Sequence, residues 1–371
     1  MSMEFTENQL AEVLKKFCVK GSIVVTEQLK AGHINGTYKV AVEHEYGEYK
    51  VYVAQAINTY VFNNPVQIMK NIDAVTAHIK KKYEELGESS DRRVLDFLHT
   101  EEGKNYYYDS DGNFWRVYVF VSDSTTFNIF DDPKVIYNAG VGFGRFQKLL
   151  ADFPIEKIGV TIPDFHNTRK RMDDFFDAVE KDEMGRCKDI QEEIEFLRTR
   201  RKTACRLQDM LENGELPLRV THNDTKCNNV LIDNTTGEAI CVIDLDTMMP
   251  GLSVFDFGDA VRFATNTAAE DETDISKVSV NIELYEQFCR GFIGELKGFF
   301  DSVEIENMAW GALIITIELA SRFLKDHIEG DKYFRIHHPN HNLERARNQI
   351  ALAKDMEKKF DKMCEIVRKY S

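Results

Sequence analysis

The sequence predicts an α+β protein of two lobes, a small one over residues 1–121 built on a β-sheet with one helix and a larger, mainly helical one over residues 122–371. Three observations predict it. Short runs of β-branched and aromatic residues, punctuated by glycine, fill the first third. From Pro133 onward apolar residues recur every three or four positions. A single β-rich island, Leu218–Ile243, interrupts the helical part.

Taken in order, Ile23–Thr26, Thr37–Val42 and Tyr49–Ala54 read as strands, with Gly32, Gly36 and Gly47 between them. Pro65 opens a helix whose apolar stripe is Ile72, Val75, Ile79, Tyr83 and Leu86. Arg93–Leu98 reads as a further strand. Asn105–Tyr108 and Phe114–Val121 flank the turn Asp109–Gly112 and predict a hairpin. Helices are expected over 134–151, 168–181, 186–212, 281–299, 304–327 and 342–368. The last carries Leu343, Ala346, Ile350, Ala353, Phe360, Met363 and Val367 on one stripe.

Apolar residues at 43% and charged residues at 29% are an ordinary globular balance. With 47 Lys and Arg against 62 Asp and Glu the formal charge is −15, which does not suit a nucleic-acid or anionic-membrane partner. Phosphate must then be gripped locally. The seven cysteines are dispersed without a CxxC pair, so neither a disulfide framework nor a zinc site is expected. The opening residues lack the regions of a signal peptide, and the expected location is the cytoplasm. His337, His338 and His341 are separated by Pro339 and read as a solvated loop. Arg198, Arg200, Arg201 and Lys202 read as a solvated helix face.

The informative stretch runs from Leu218 to Thr247. Val230–Asp233 and Glu238–Ile243 around the turn Asn234–Gly237 predict a hairpin, centred between Thr235 and Thr236. That register puts Asn229 and Asp244 at one open end, with Asp224 in the loop entering it. Aspartate and asparagine often only cap turns. Here two carboxylates and an amide, with no His or thiolate, form an oxygen donor set suited to Mg²⁺ and nucleotide phosphates. An Asp–x₄–Asn pair followed by an Asp after the next strand is also the order used by protein kinases.

His222-x-Asp224-x₄-Asn229 followed by Ile243-Asp-Leu-Asp246 resembles the aminoglycoside phosphotransferase/choline kinase family. Within it, the strings at 221–229, 235–239, 243–251, 255–263 and 267–278 resemble those kinases that phosphorylate N-acetylhexosamines at C1. So do Gly32–Asn35, Arg322–Leu324, Glu329–Phe334 and His341–Leu343. The resemblance implies a protein-kinase-like two-lobe fold, ATP and Mg²⁺ as cofactors, and an amino sugar (GlcNAc or GalNAc) as acceptor. It implies Asp224 as the base taking the sugar hydroxyl proton, and Asn229 and Asp244 as Mg²⁺ ligands. Phe263, Arg322 and Tyr333 would line the sugar pocket together with His33. Gly32, His33, Asn35 and Gly36 would form the nucleotide-facing loop of the small lobe. Asp256 is similar to the buried aspartate that braces the catalytic loop.

Kinases of this fold carry a lysine on the third strand of the small lobe, and here Gln55 takes that position. Part of the phosphate grip must come from elsewhere. Lys226, two residues after Asp224, either neutralises the migrating phosphoryl group or is a solvated loop lysine. Arg322 either forms a helical pair with Glu318 or points into a pocket. The alternatives are a kinase for another small hydroxyl metabolite (choline, methylthioribose, an aminoglycoside) and a nucleotide-binding pseudokinase.

Overall fold

The structure is a computed structural model and describes residues 4–29, 35–127 and 132–371. Gly32 and His33 lie outside these residues. Two compact units divide the chain. The first takes Met1–Ser124, Glu156–Ile162 and Cys241–Met249, and the second takes Thr125–Ile155, Pro163–Ile240 and Pro250–Ser371.

The first unit opens with α1 (Glu7–Lys16), started by a capping box in which Thr6 and Gln9 satisfy each other's backbone N–H. The strands β1 (Ser22–Gln28), β2 (Gly36–Glu43), β3 (Tyr49–Ile57), β4 (Tyr107–Tyr108) and β5 (Phe114–Val119) form one sheet in the order β1-β2-β3-β5-β4. Because side chains alternate across a strand, Val40, Val42, Tyr52, Ala54, Trp115 and Val117 face Leu10, Val13 and Leu14 of α1. Thr37, Gln55 and Arg116 therefore lie on the opposite face. The antiparallel register sets Gln55 against Thr37 on one side and Arg116 on the other.

Between β3 and β4 runs α2 (Pro65–Glu85), with Asn64 as N-cap and Pro65 in the first turn. Its buried Asn71 explains why two later segments count with this unit. The amide nitrogen of Asn71 donates to the carbonyls of Gly159 (2.8 Å) and Met248 (2.9 Å), and its oxygen accepts from the Gly159 N–H (2.9 Å). The strand expected over Arg93–Leu98 is reduced to one bridge, Phe97 with Tyr118. A turn at Ser90–Val94, with Arg92 at φ +60°, bends the chain just before it.

The chain continues through β6 (Ser124–Thr125), α3 (Pro133–Leu149), α4 (Thr168–Lys181), α5 (Gln191–Glu212) and the strands β7 (Arg219–Thr221), β8 (Val230–Asp233), β9 (Ala239–Val242) and β10 (Met249–Gly251). It ends with α6 (Ser253–Ala264), α7 (Ile282–Leu296), α8 (Ser302–Glu306), α9 (Met308–Ile328) and α10 (His341–Tyr370). In the second unit Phe257 of α6 and Phe288 and Phe292 of α7 form a buried aromatic cluster. Helices α6 and α9 meet at glycines: a Cβ on Gly311 would lie 2.0 Å from the Val254 carbonyl oxygen. No helix among the described residues is long and apolar enough to cross a membrane.

Candidate active site

The loop His222–Asn229 is built on the buried carboxylate of Asp256. The N–H of His222 and that of Asn223 each donate to Asp256, both at 2.8 Å, and Gln147 of α3 donates its amide to the same carboxylate. The Thr225 hydroxyl donates to the Asp256 carbonyl. Burial pushes the Asp256 carboxyl above its ordinary value, and His222 with the converging donors opposes that rise. Asn223 sits at φ +64°, an uncommon conformation for a side chain-bearing residue and one asparagine tolerates best.

This brace brings three of the expected residues together. Lys226 Nζ lies 3.2 Å from Asp224 Oδ1, and the Asn229 amide nitrogen donates to the Asp224 carbonyl at 2.9 Å. The Asn229 N–H closes the turn onto the Lys226 carbonyl at 2.8 Å. Asp224 holds the Lys226 pKa above its ordinary value, and Asp259 and Glu270 add to that field. The following hairpin closes through the Asp233 N–H on the Glu238 carbonyl at 2.9 Å, so its turn is centred between Thr235 and Thr236 as the sequence predicts.

A second cluster lies on α4, α9 and the chain after α9. Arg171, Arg322, Lys332, Tyr333 and Phe334 line a pocket. The Arg322 guanidinium sits over the rings of Phe165 (5.4 Å) and Phe334 (5.7 Å), and its nearest carboxylate oxygen, on Glu318, is 3.6 Å away. Only 14% of its side chain is exposed, yet it makes no hydrogen bond to the described residues. Glu318 is 1% exposed, so the pair is no surface bridge. Burial, then Arg322, lowers the pKa of neighbouring Arg171. Tyr333 is 71% exposed on a loop held by Asp326, whose carboxylate accepts the N–H groups of Lys332, Tyr333 and Phe334 at 2.9, 2.7 and 2.9 Å. Phe263 is the one residue of α6 that is not buried.

His166 joins this cluster to the loop. Its Nδ1 lies 3.1 Å from Glu318 Oε1 and its Nε2 3.4 Å from the Asn223 carbonyl. Neither His166, Arg171 nor Gln147 stands in a recognisable motif, and no spacing in the sequence could have found them.

A model of the phosphotransferase enzyme family matches residues 92–291, more than half of the chain. The chain belongs to this family. Among solved structures, this phosphotransferase is similar to an aminoglycoside phosphotransferase from Alicyclobacillus acidocaldarius at 11% identity and TM-score 0.62, covering 100% of this chain and 98% of that one. It is also similar to a microcompartment-associated aminopropanol kinase at 13% identity and TM-score 0.60, covering 96% and 98%. A spectinomycin phosphotransferase in complex with ADP and spectinomycin matches at 15% identity and TM-score 0.53, covering 99% of both chains. At these identities the likeness is one of fold, and the fold is protein-kinase-like, with an antiparallel N-terminal sheet and a mostly helical C-terminal part.

In the first unit of the phosphotransferase, the side chain of Gln55 is engaged within the sheet. Its amide nitrogen donates to Thr37 Oγ1 at 2.9 Å, and its oxygen accepts from Arg116 Nε and Nη2 at 2.8 and 2.6 Å. Asn35 donates to Asp246 at 3.1 Å, and Gly36 starts β2 opposite Ala56. Asp244 stands at φ +60°, immediately before the short helical turn Leu245–Thr247.

The donor chemistry fits Mg²⁺. Asn229 spends its amide nitrogen on the Asp224 carbonyl, which leaves its Oδ1 as a hard acceptor. No three His, Cys, Asp or Glu side chains among the described residues are grouped to hold a metal, the 337–341 histidines included.

Proposed function

We propose that this phosphotransferase moves the γ-phosphoryl group of ATP to the anomeric C1 hydroxyl of an N-acetylhexosamine, GlcNAc or GalNAc, giving the sugar 1-phosphate and ADP. The bond from the sugar O1 to phosphorus forms as the bond from phosphorus to the β,γ-bridging oxygen breaks, and the hydroxyl proton passes to Asp224. An aspartate is a weak base, which suffices because proton transfer is late in a loose transition state and the anomeric hydroxyl is more acidic than an ordinary alcohol. Lys226, beside Asp224, would neutralise charge on the migrating group. Asn229 and Asp244 would hold Mg²⁺, whose chemistry is to offset the phosphate charge.

The observation that carries the acceptor class is the Arg322 guanidinium without a hydrogen bond. Glu318, 3.6 Å away, offsets part of its charge, and the other nearby carboxylates are engaged elsewhere. Asp326 is taken by backbone N–H groups, and Glu329 pairs with Lys325 at 2.7 Å. Two guanidiniums repel a cationic acceptor such as choline or an aminoglycoside, and favour a neutral one with carbonyl and hydroxyl acceptors. An N-acetyl sugar has both. Tyr333 and Phe263 would pack on its ring.

The test is ADP release with ATP and Mg²⁺ over a panel of free sugars, choline, methylthioribose and aminoglycosides. Release with N-acetylhexosamines alone, with loss of the reducing end, is expected. Release with the amines instead would overturn the acceptor, and no sugar-dependent release would leave the pseudokinase reading.

A further inference from the structure

Kinase-like sheets present a lysine from their third strand to the nucleotide phosphates. Here the cation stands one strand away, on β5: Arg116, directly across from Gln55 in the register. It does not replace the lysine by reach, because it is only 3% exposed. Its Nε and Nη2 are taken by Gln55 Oε1, and its Nη1 pairs with Asp246, itself 2% exposed. The other Asp246 oxygen accepts from Asn35 at 3.1 Å, and Asn35 in turn accepts the Asn58 N–H at 2.9 Å. Thr37, Gln55, Arg116 and Asp246 thus form a closed row across the sheet. It ends on the turn that follows Asp244.

A fully buried ion pair is poor value as a source of stability, since desolvating two charges offsets much of their attraction. What such a pair does well is to fix one arrangement. The arrangement in need of fixing is Asp244, held at φ +60° and ψ +57°, a left-handed conformation that costs an aspartate energy unless its surroundings impose it. Asp246 sits in the middle of the next turn, so clamping its carboxylate clamps the backbone that carries Asp244. The Asp244 charge also lies within the field of Arg116. Burial alone would lower the Arg116 pKa, and Asp246, with a further contribution from Asp244, keeps it above its ordinary value.

We infer that Arg116, oriented by Gln55, is a positioning residue for Asp244: the sheet cation acts on the metal-binding turn through Asp246 and does not touch the phosphates. The inference rests on the reading of Asp244 as a Mg²⁺ ligand. Partners that orient a metal ligand typically change metal affinity by about 10- to 100-fold when removed.

The test is ADP affinity, measured by calorimetry on the full chain in excess Mg²⁺ and again in EDTA, with thermal midpoints recorded alongside. Gln55→Leu removes the acceptor that orients the guanidinium, together with the donation to Thr37. Arg116→Gln with Asp246→Asn removes the ion pair without leaving a bare buried charge. Either should erase most of the Mg²⁺-dependent gain in affinity, about tenfold or more, with the EDTA affinity little changed. Arg116→Lys, which keeps the charge on Asp246 and loses the fork to Gln55, should recover part of the gain. Affinities falling equally in Mg²⁺ and EDTA would mean that Arg116 binds phosphate directly, and would overturn the inference. A lower thermal midpoint with both affinities intact would reduce the row to a structural clamp, and would overturn it too. A wild-type affinity indifferent to Mg²⁺ would fail the metal reading itself and the inference with it.

Discussion

An aspartate works as a catalytic base by being aimed, and Asp224, the proposed base, is held from two sides. Lys226 pairs with its carboxylate, and Asn229 ties its carbonyl. Asp224→Asn keeps the shape and removes the proposed base. Turnover should drop by roughly 10²- to 10⁴-fold, with ADP affinity and thermal midpoint close to wild type. Steady-state kinetics beside calorimetry checks this, and full turnover in the variant would remove Asp224 from the chemistry. Glu318 makes a pH prediction. Burial would raise its carboxyl, but His166, then Arg322 and Arg171, win and hold it below the ordinary 4.5. A depressed folded value means that Glu318 stabilises the fold fully above that ordinary value, and less as the pH falls below it. The contribution is gone once the pH is under the depressed value. The stability gap between wild type and Glu318→Gln in urea should therefore be widest near neutrality and close on acidification. A gap that is constant with pH would contradict the assignment.

The elements that hold the loop come from three places in the chain: Gln147 on α3, Asp256 on α6 and, through His166, Glu318 on α9. The approach of α6 to α9 at Gly258 and Gly311 sets where Asp256 stands, because a Cβ on either glycine would strike the facing backbone. Gly311→Ala should cost about 1–3 kcal/mol in a denaturant titration, the usual size of overpacking, and should lower turnover as Asp256 shifts. An unchanged midpoint and rate would show that the crossing tolerates the methyl. The hairpin and its turn were legible in the sequence, since period-two alternation and a polar four-residue turn are local signals. The helical state of α6 was not, because all but Phe263 of it is buried and no polar face marks a period. The signal for α1 was present in Thr6 and Gln9 as a capping box. Arg93–Leu98 read as a strand from its composition, but composition carries no information on the bend at Arg92.

At the scale of the molecule, the least legible feature is that residues 156–162 and 241–249 belong with the N-terminal sheet unit. Their anchors are Asn71 and Arg116, far away in the chain, and no local pattern announces a contact across such separations. The bracing Asp256 was legible in the sequence, and Asp224, Asn229 and Asp244 are proposed from it because phosphoryl transfer demands particular oxygen donors in a particular order. His166 and Arg171 were not legible, since their roles arise only from packing. The formal charge of −15 sits beside a pocket lined by two guanidiniums, Arg171 and Arg322, so the chain as a whole is acidic while this pocket carries cations. Under the proposed function, that contrast favours a neutral acceptor over a cationic one. The most direct measurement is a proton-coupled ³¹P spectrum of the product made from N-acetylhexosamine, ATP and Mg²⁺. A new phosphomonoester doublet, split by the single anomeric proton, is predicted. A triplet from phosphorylation at a CH₂OH group, or no phosphomonoester beyond the nucleotide products, would contradict transfer to C1.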